Sequence, residues 1–292
     1  MTLAPAARVD RKTALVEGEF LFTAEDFKQI AAIMYDQAGI SLADSKATLV
    51  YSRLAKRLRI LGMDSFSAYC AMVLQDREEA QNMLRALTTN VTRFFREPHH
   101  FDDLRETVLL PMADEVRRGG RLRLWSAACS TGQEPYSMAL TVLSVFPDAA
   151  NLDIKILATD IDSNVVATGK AAVYDEAQIE PVPGPVRNQF FERDPSNKGM
   201  WRVGAAARSM VSFKELNLIG EWPMKGPFHA VFCRNVVIYF DEPTQERIWT
   251  RFAPLIADGG RLYIGHSERV PASNTSFESN GLTSYRKVGG RR

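Results

Sequence analysis

Apolar positions early in the chain recur at helical spacing. Phe27, Ile30, Ala31, Met34 and Tyr35 would line one face of a helix that Gly39 ends. Asp44 is the expected N-cap of a second helix reaching Leu61, with Gly62 as its stop. Ser65 or Ser67 can open a third helix, and Asp76 or Arg77 a fourth. Residues 20–88 show no strand-like alternation and predict a small all-helical domain. A Pro-bounded helix is expected over about 98–117.

The pattern then changes. Residues 121–126 (RLRLWS), 154–159 (IKILAT) and 229–233 (HAVFC) are short runs rich in branched or aromatic side chains, and so read as strands. Helical patterns over 134–146, 163–171 and 244–257 separate them. Strand–helix alternation predicts an α/β domain with a parallel sheet covered on both faces. Residues 261–265 and 282–288, joined by a short connection, suit an antiparallel pair at the sheet edge. Residues 175–213, with Pro181, Pro183, Pro185 and Pro195 between short β-like pieces (MWRV, SMVSF), read as an inserted β-subdomain. The resulting division is a flexible lead over 1–18, a helical domain over 19–88, a linker, lid and helix over 89–117, and the sheet domain over 118–288.

Composition narrows the class. The 292 residues are 46% hydrophobic and 24% charged, enough for an ordinary core. Net charge is +1, so bulk charge gives no argument for nucleic acid or a membrane surface. No run reaches the ~18–20 apolar residues of a membrane span, and the N-terminus has no signal-peptide core. Cys70, Cys129 and Cys233 form neither a disulfide framework nor a zinc pattern. They predict reduced thiols in a cytoplasmic protein without a metal.

Four segments carry candidate chemistry. The loop after the first strand, SAACSTGQEPYSMAL, sits where a doubly wound sheet binds a nucleotide-like ligand. Its only glycine is Gly132, so GxGxxG is missing, which counts against a nicotinamide dehydrogenase on the same topology. Glu134 at the mouth of the next helix would repel phosphate and attract a cationic amino group; it would equally complement the helix dipole. Asp160 closes the second strand in ATDID, where an acid can accept two ribose hydroxyls. In CRNVVIYF, Arg234 and Asn235 directly follow an apolar strand, a costly placement without partners, and Tyr239 lies four residues on. In TTNVTRFFREPHHF, polar Asn90, Thr92 and Arg96 alternate with Val91, Phe94 and Phe95, as in a lid anchored by its phenylalanines.

TTNVTRFFRE, WSAACSTGQEPYSMA, ATDID, FCRNVVIYF and GHSE occur in this order across nearly the whole chain. Together they resemble the CheR family of chemotaxis receptor methyltransferases. The resemblance implies a helical N-terminal domain, a Rossmann-like domain that binds S-adenosylmethionine, and an inserted β-subdomain. It implies a cofactor site lined by Asn90, Thr92, Arg96, Glu134, Asp160, Asn217, Leu218, Arg234 and Asn235, of which Asn217 and Leu218 rest on resemblance alone. The loop reads GQE where many relatives have GEE, but Glu134 is kept. The implied reaction moves a methyl group to glutamate carboxylates of receptor helices, leaving S-adenosylhomocysteine. Arg96 would orient the carboxylate and Tyr239 would donate a second hydrogen bond. The second helix carries Lys46, Arg53, Lys56, Arg57 and Arg59 without an intervening acid. Lys46, Arg53, Arg57 and Arg59 are then the expected dock for acidic receptor helices, with a solvated basic face as the plainer alternative. A sensor that binds the cofactor without transfer, or a methyltransferase for another protein, are the other functions compatible with these motifs.

Overall fold

The computed structural model describes residues 14–289; residues 1–13, most of the predicted lead, lie outside that range. The chain divides into two compact units, 14–89 and 90–289 within the described residues.

The first unit is mostly helical. Two short strands, β1 (Ala14–Val16) and β2 (Phe22–Thr23), pair antiparallel where the sequence predicts lead and helix. Aromatic packing accounts for the difference: Phe22 is buried against Phe27, Tyr51 and Phe66, and the Tyr51 hydroxyl accepts the Phe20 N–H at 3.2 Å. Thr23 caps α1 (Ala24–Ala38) through a reciprocal box with Asp26, and Gly39, at φ 70°, ends it. α2 (Ala47–Leu61) stops at left-handed Gly62. Asp44 does not cap α2, as the sequence predicts; it opens a 3₁₀ turn, Asp44–Lys46, that leads into the helix. Ser65 caps α3 (Phe66–Val73), and Asp76 caps α4 (Arg77–Leu87) through two backbone N–H groups. Val50, Leu54 and Leu58 of α2 are fully buried with Ile30, Tyr69 and Met83, each aliphatic side chain stabilising by about 1.5–3 kcal/mol.

In the second unit the helix predicted over 98–117 is broken into α5 (His99–Leu104), a π-helical turn (Arg105–Leu109) and α6 (Ala113–Arg117). Pro111 has no N–H for the ladder, and the Leu110 N–H reaches back five residues to Arg105 O instead. The sheet contains β3 (Leu122–Ser126), β4 (Ile154–Asp160), β8 (Val211–Glu215), β9 (Phe228–Cys233), β10 (Ile256–Ile264), β11 (Phe277–Ser279) and β12 (Ser284–Lys287). Their order is β11-β12-β10-β9-β3-β4-β8, with β10, β9, β3, β4 and β8 parallel and the β11–β12 edge antiparallel. α7 (Gln133–Val145), α8 (Ser163–Ala171) and α9 (Glu242–Phe252) connect the strands. The mostly parallel sheet with crossover helices is the α/β architecture the pattern predicts, and the Rossmann-like domain the resemblance implies.

Between α8 and β8 lies a second sheet of β5 (Val173–Asp175), β6 (Phe191–Arg193) and β7 (Met200–Val203), in the order β5-β7-β6. SMVSF does not belong to this insertion. Val211–Glu215 pairs parallel with β4 and extends the main sheet, because Phe213 is needed in the core beside Tyr136. β3 is flanked by β4 on one side and β9 on the other, with Ser126 level with both Ala158 and Phe232. The carboxyl ends of these three strands therefore open at one level, at the point where strand order reverses.

Candidate active site

Three loops leave that level, and backbone hydrogen bonds tie the first of them to the strands on either side. Ala127 N–H bonds Phe232 O, and Cys129 N–H bonds Thr159 O, each at 2.8 Å. The turn into α7 needs Gly132, at φ 98°: a Cβ there would come within 2.7 Å of the Tyr174 hydroxyl and 2.9 Å of Gly169 Cα. Tyr174, in β5 of the insertion, donates to Thr131 O at 2.8 Å, so the small sheet props the loop from behind.

Asp160 is buried at the end of β4. One of its oxygens accepts Ser130 N–H at 2.8 Å and the other Asp162 N–H at 3.1 Å. Burial pushes its pKa up, while these N–H groups favour the charged form. Asp162, not Asp160, caps α8. Asn90 is tied to the same corner: its amide donates to Asp162 at 3.2 Å and its carbonyl accepts the Ser130 hydroxyl at 3.1 Å. Phe94 is buried between Tyr174 and Phe191, and Phe95 N–H bonds Ser137 Oγ at 2.9 Å, so the phenylalanines anchor this segment as predicted.

The Arg234 side chain is 1% exposed. Its guanidinium lies 3.1 Å from Glu134, 3.1 Å from Glu97 and 2.5 Å from the Arg96 carbonyl. One residue after β9 thus joins the start of α7 to the segment carrying Arg96. Glu134 completes its shell by accepting the Ser126 hydroxyl at 2.7 Å; burial raises its pKa, and Arg234 and Ser126 work against that rise. Sequence reasoning leaves Glu134 to a ligand's ammonium group; in the structure Arg234 already takes one of its oxygens and Ser126 the other. The Arg96 guanidinium bonds Val91 O at 3.0 Å.

Asn235, at φ 57°, and the 3₁₀ turn Val237–Tyr239 follow Arg234. Tyr239 and Thr92 are half-buried. Asn217 and Leu218 follow β8, whose end is level with Asp160, and Leu216 N–H bonds Asp160 O at 2.9 Å. Had 211–215 been read as a sheet strand, LNL would have stood out as a strand-end loop. Sequence reasoning also missed Glu97, His100, His266 and Glu268. Glu97 lies 3.0 Å from His266 Nδ1 and 3.5 Å from His100 Nδ1. Burial opposes ionisation of Glu97, but the Arg234 charge and the His266 hydrogen bond bring its pKa down to about 2. Glu97, His99 and His100 present ligand atoms within 4.8 Å of one another, but the adjacent guanidinium puts a fixed positive charge where a cation would sit.

In the first unit, the four predicted docking cations divide. Arg53 donates to the carbonyls of Ala86, Leu87 and Thr88 at 3.3, 3.0 and 2.9 Å, closing the carboxyl end of α4. Arg57 pairs with buried Glu79 at 2.5 Å. Lys46 and Arg59 are exposed, with Arg59 2.8 Å from Glu19. Among the described residues no helix is long and apolar enough to cross a membrane, and Cys70, Cys129 and Cys233 are buried and unpaired.

Known proteins agree with this division. Residues 25–88 match the family description "CheR methyltransferase, all-alpha domain", and residues 90–286 match "CheR methyltransferase, SAM binding domain". The chain is 51% identical over 258 residues to a probable chemotaxis protein methyltransferase of Rhizobium etli, covering 87% of this chain and 96% of that one. It is 42% identical to chemotaxis protein methyltransferase 2 of Pseudomonas aeruginosa, covering 91% and 94%. It is 41% identical to the chemotaxis protein methyltransferase of Klebsiella aerogenes, covering 89% and 88%. The residues present fit S-adenosylmethionine: buried Asp160 stands at the end of β4, where an acid can hold a ribose, and the loop into α7 has one glycine in place of a phosphate-cradling GxGxxG. Both domain descriptions match, and with them relatives along most of its length: the chain belongs to the CheR methyltransferase family and uses S-adenosylmethionine.

Proposed function

We propose that this enzyme esterifies glutamate side chains of chemotaxis receptors. The relatives are named as chemotaxis methyltransferases. The observation that carries the finer reading is the hold of Arg234 on the Arg96 carbonyl and on Glu134 together, which fastens the Arg96 segment to the strand-end loops. The cofactor, when bound, supplies a methyl group on a positively charged sulfur. Asp160 is suited to a ribose; Glu134, through the lone pairs that Arg234 and Ser126 leave over, to a cationic amino group; and Asn90, Thr92, Asn217, Leu218, Arg234 and Asn235 to completing the wall.

A glutamate carboxylate is already ionised at pH 7, its ordinary pKa being about 4.3, so no general base is required. What the chain must do is orient it. The Arg96 guanidinium offers a planar fork that can leave Val91 O for a stronger, charged acceptor. Tyr239 can donate a second hydrogen bond. Lys46 and Arg59, exposed on and beside α2, are the docking cations for acidic receptor helices, with Arg53 and Arg57 behind them as structural supports. Buried free thiols and receptor helices as the proposed substrate support a cytoplasmic enzyme.

The test is a labelled methyl donor incubated with receptor-containing membranes, followed by mild alkali. Release of the label as methanol is expected; label that resists alkali would overturn the ester. Arg96→Ala should lower kcat by about 10²–10³-fold, and near-normal turnover would remove its role.

A further inference from the structure

Glu268 closes the GHSE segment after β10 and is 3% exposed. Its carboxylate accepts four backbone N–H groups: Gly265 at 2.5 Å and Asn235 at 2.9 Å on one oxygen, Val236 at 2.8 Å and Val237 at 2.9 Å on the other. The backbone it holds needs such help. Asn235 is in the left-handed region, and the 3₁₀ turn Val237–Tyr239 begins without a side-chain cap of its own. The free N–H groups at the start of a helical turn need an acceptor, and here it comes from 31 residues away. Gly265 is part of the arrangement, since a Cβ there would lie 2.4 Å from the Asn235 amide nitrogen and 2.9 Å from Glu268.

We infer that Glu268 is a positioning residue for methyl transfer: it presets the arc carrying Asn235 and Tyr239 before the cofactor binds. The inference rests on the proposed role of Asn235 at the cofactor. Gln at position 268 keeps the shape, but its one oxygen can serve only one pair of N–H groups, and its NH₂ opposes the other pair. The loss of charge-assisted acceptance should weaken S-adenosylhomocysteine binding by about tenfold.

The experiment is calorimetric titration of S-adenosylhomocysteine into the full-length wild type, Asn235→Ala, Glu268→Gln and the double variant, with Gly265→Ala as a second way to disturb the arc. Weaker binding in each single variant is expected, with the double variant little worse than the weaker single one. Wild-type affinity in Asn235→Ala would remove the role of Asn235 at the cofactor, and this inference with it. A weakened Asn235→Ala beside wild-type affinity in Glu268→Gln and Gly265→Ala would overturn the inference alone. So would a Glu268→Gln protein that titrates with fewer sites but unchanged affinity, since that marks Glu268 as structural only.

Discussion

Each unit buries a glutamate–arginine pair, and the two pairs are finished differently. In the first unit Glu79 accepts Arg57 through both oxygens, the Tyr69 hydroxyl at 2.9 Å and the Asn82 amide at 3.0 Å. In the second, Arg234 faces Glu134, Glu97 and a carbonyl, yet hydrogen-bonding capacity is left over. Of six buried side-chain nitrogen and oxygen atoms without a well-formed hydrogen bond among the described residues, three belong to Glu97, His100 and Arg234, the Glu97 oxygen being held by its ion pair with Arg234 at 3.1 Å, and none lies in the first unit. Buried polar groups are nearly always satisfied where structure alone is served. The closed cluster fastens helices; the looser one, also sealed from solvent, fastens the strand-end loops to the segment carrying Arg96.

The largest effect should come from Arg234→Ala. It strands two buried carboxylates, so the unfolding free energy should fall by about 3–5 kcal/mol, with loss of measurable cofactor binding. A variant that binds normally would show that the looser cluster is not part of the site.

Acid should act on the same cluster next. Burial, the Arg234 charge and His99 bring the His100 pKa down to about 4 from an ordinary 6.5. The folded value lies below the unfolded one, so this contribution is whole above pH ~6.5 and is lost as pH falls towards ~4, on the order of 3 kcal/mol. Glu97, held at about 2, adds a further loss below pH ~4.5. Denaturant titrations at pH 7, 5.5 and 4.5 should show the decline, and His100→Gln should flatten it between pH 6.5 and 4.5. An unchanged slope in the variant would clear His100.

Arg57→Ala sharpens the contrast from the other side. It should cost about 2 kcal/mol, the scale of hydrogen bonds to a charged group, and leave cofactor affinity as it was. Smaller still is the ionic effect: kcat/KM for receptor should fall several-fold as salt is added, because exposed cations are screened. A rate indifferent to salt would leave α2 a solvated basic face.

Local chemistry made much of this legible in the sequence. Gly39, Gly62, Ser65 and Asp76 punctuate the helices where their chemistry predicts, and the runs at 121–126, 154–159 and 229–233 fall on the central strands, to within one residue at each end. What stayed hidden depends on distant partners. β8 follows a Pro-rich insertion and reads as part of it until its parallel register with β4 is seen. The interior Pro111 looks like one residue of a helix until the π turn before it appears. Arg234 stands out as an arginine that is costly to bury, but its carboxylate partners lie 100 and 137 positions away. Glu268 has only a GHSE tetrapeptide to mark it, since its partners are backbone groups that any residue carries.

We propose that S-adenosylmethionine binds across the carboxyl ends of β3, β4 and β9, with Asp160 as its acid. Titrating S-adenosylhomocysteine into wild type and Asp160→Asn measures this directly. Saturable one-to-one binding is expected, weakening at least about tenfold when the acid is neutralised. Equal affinity in the two proteins would contradict it.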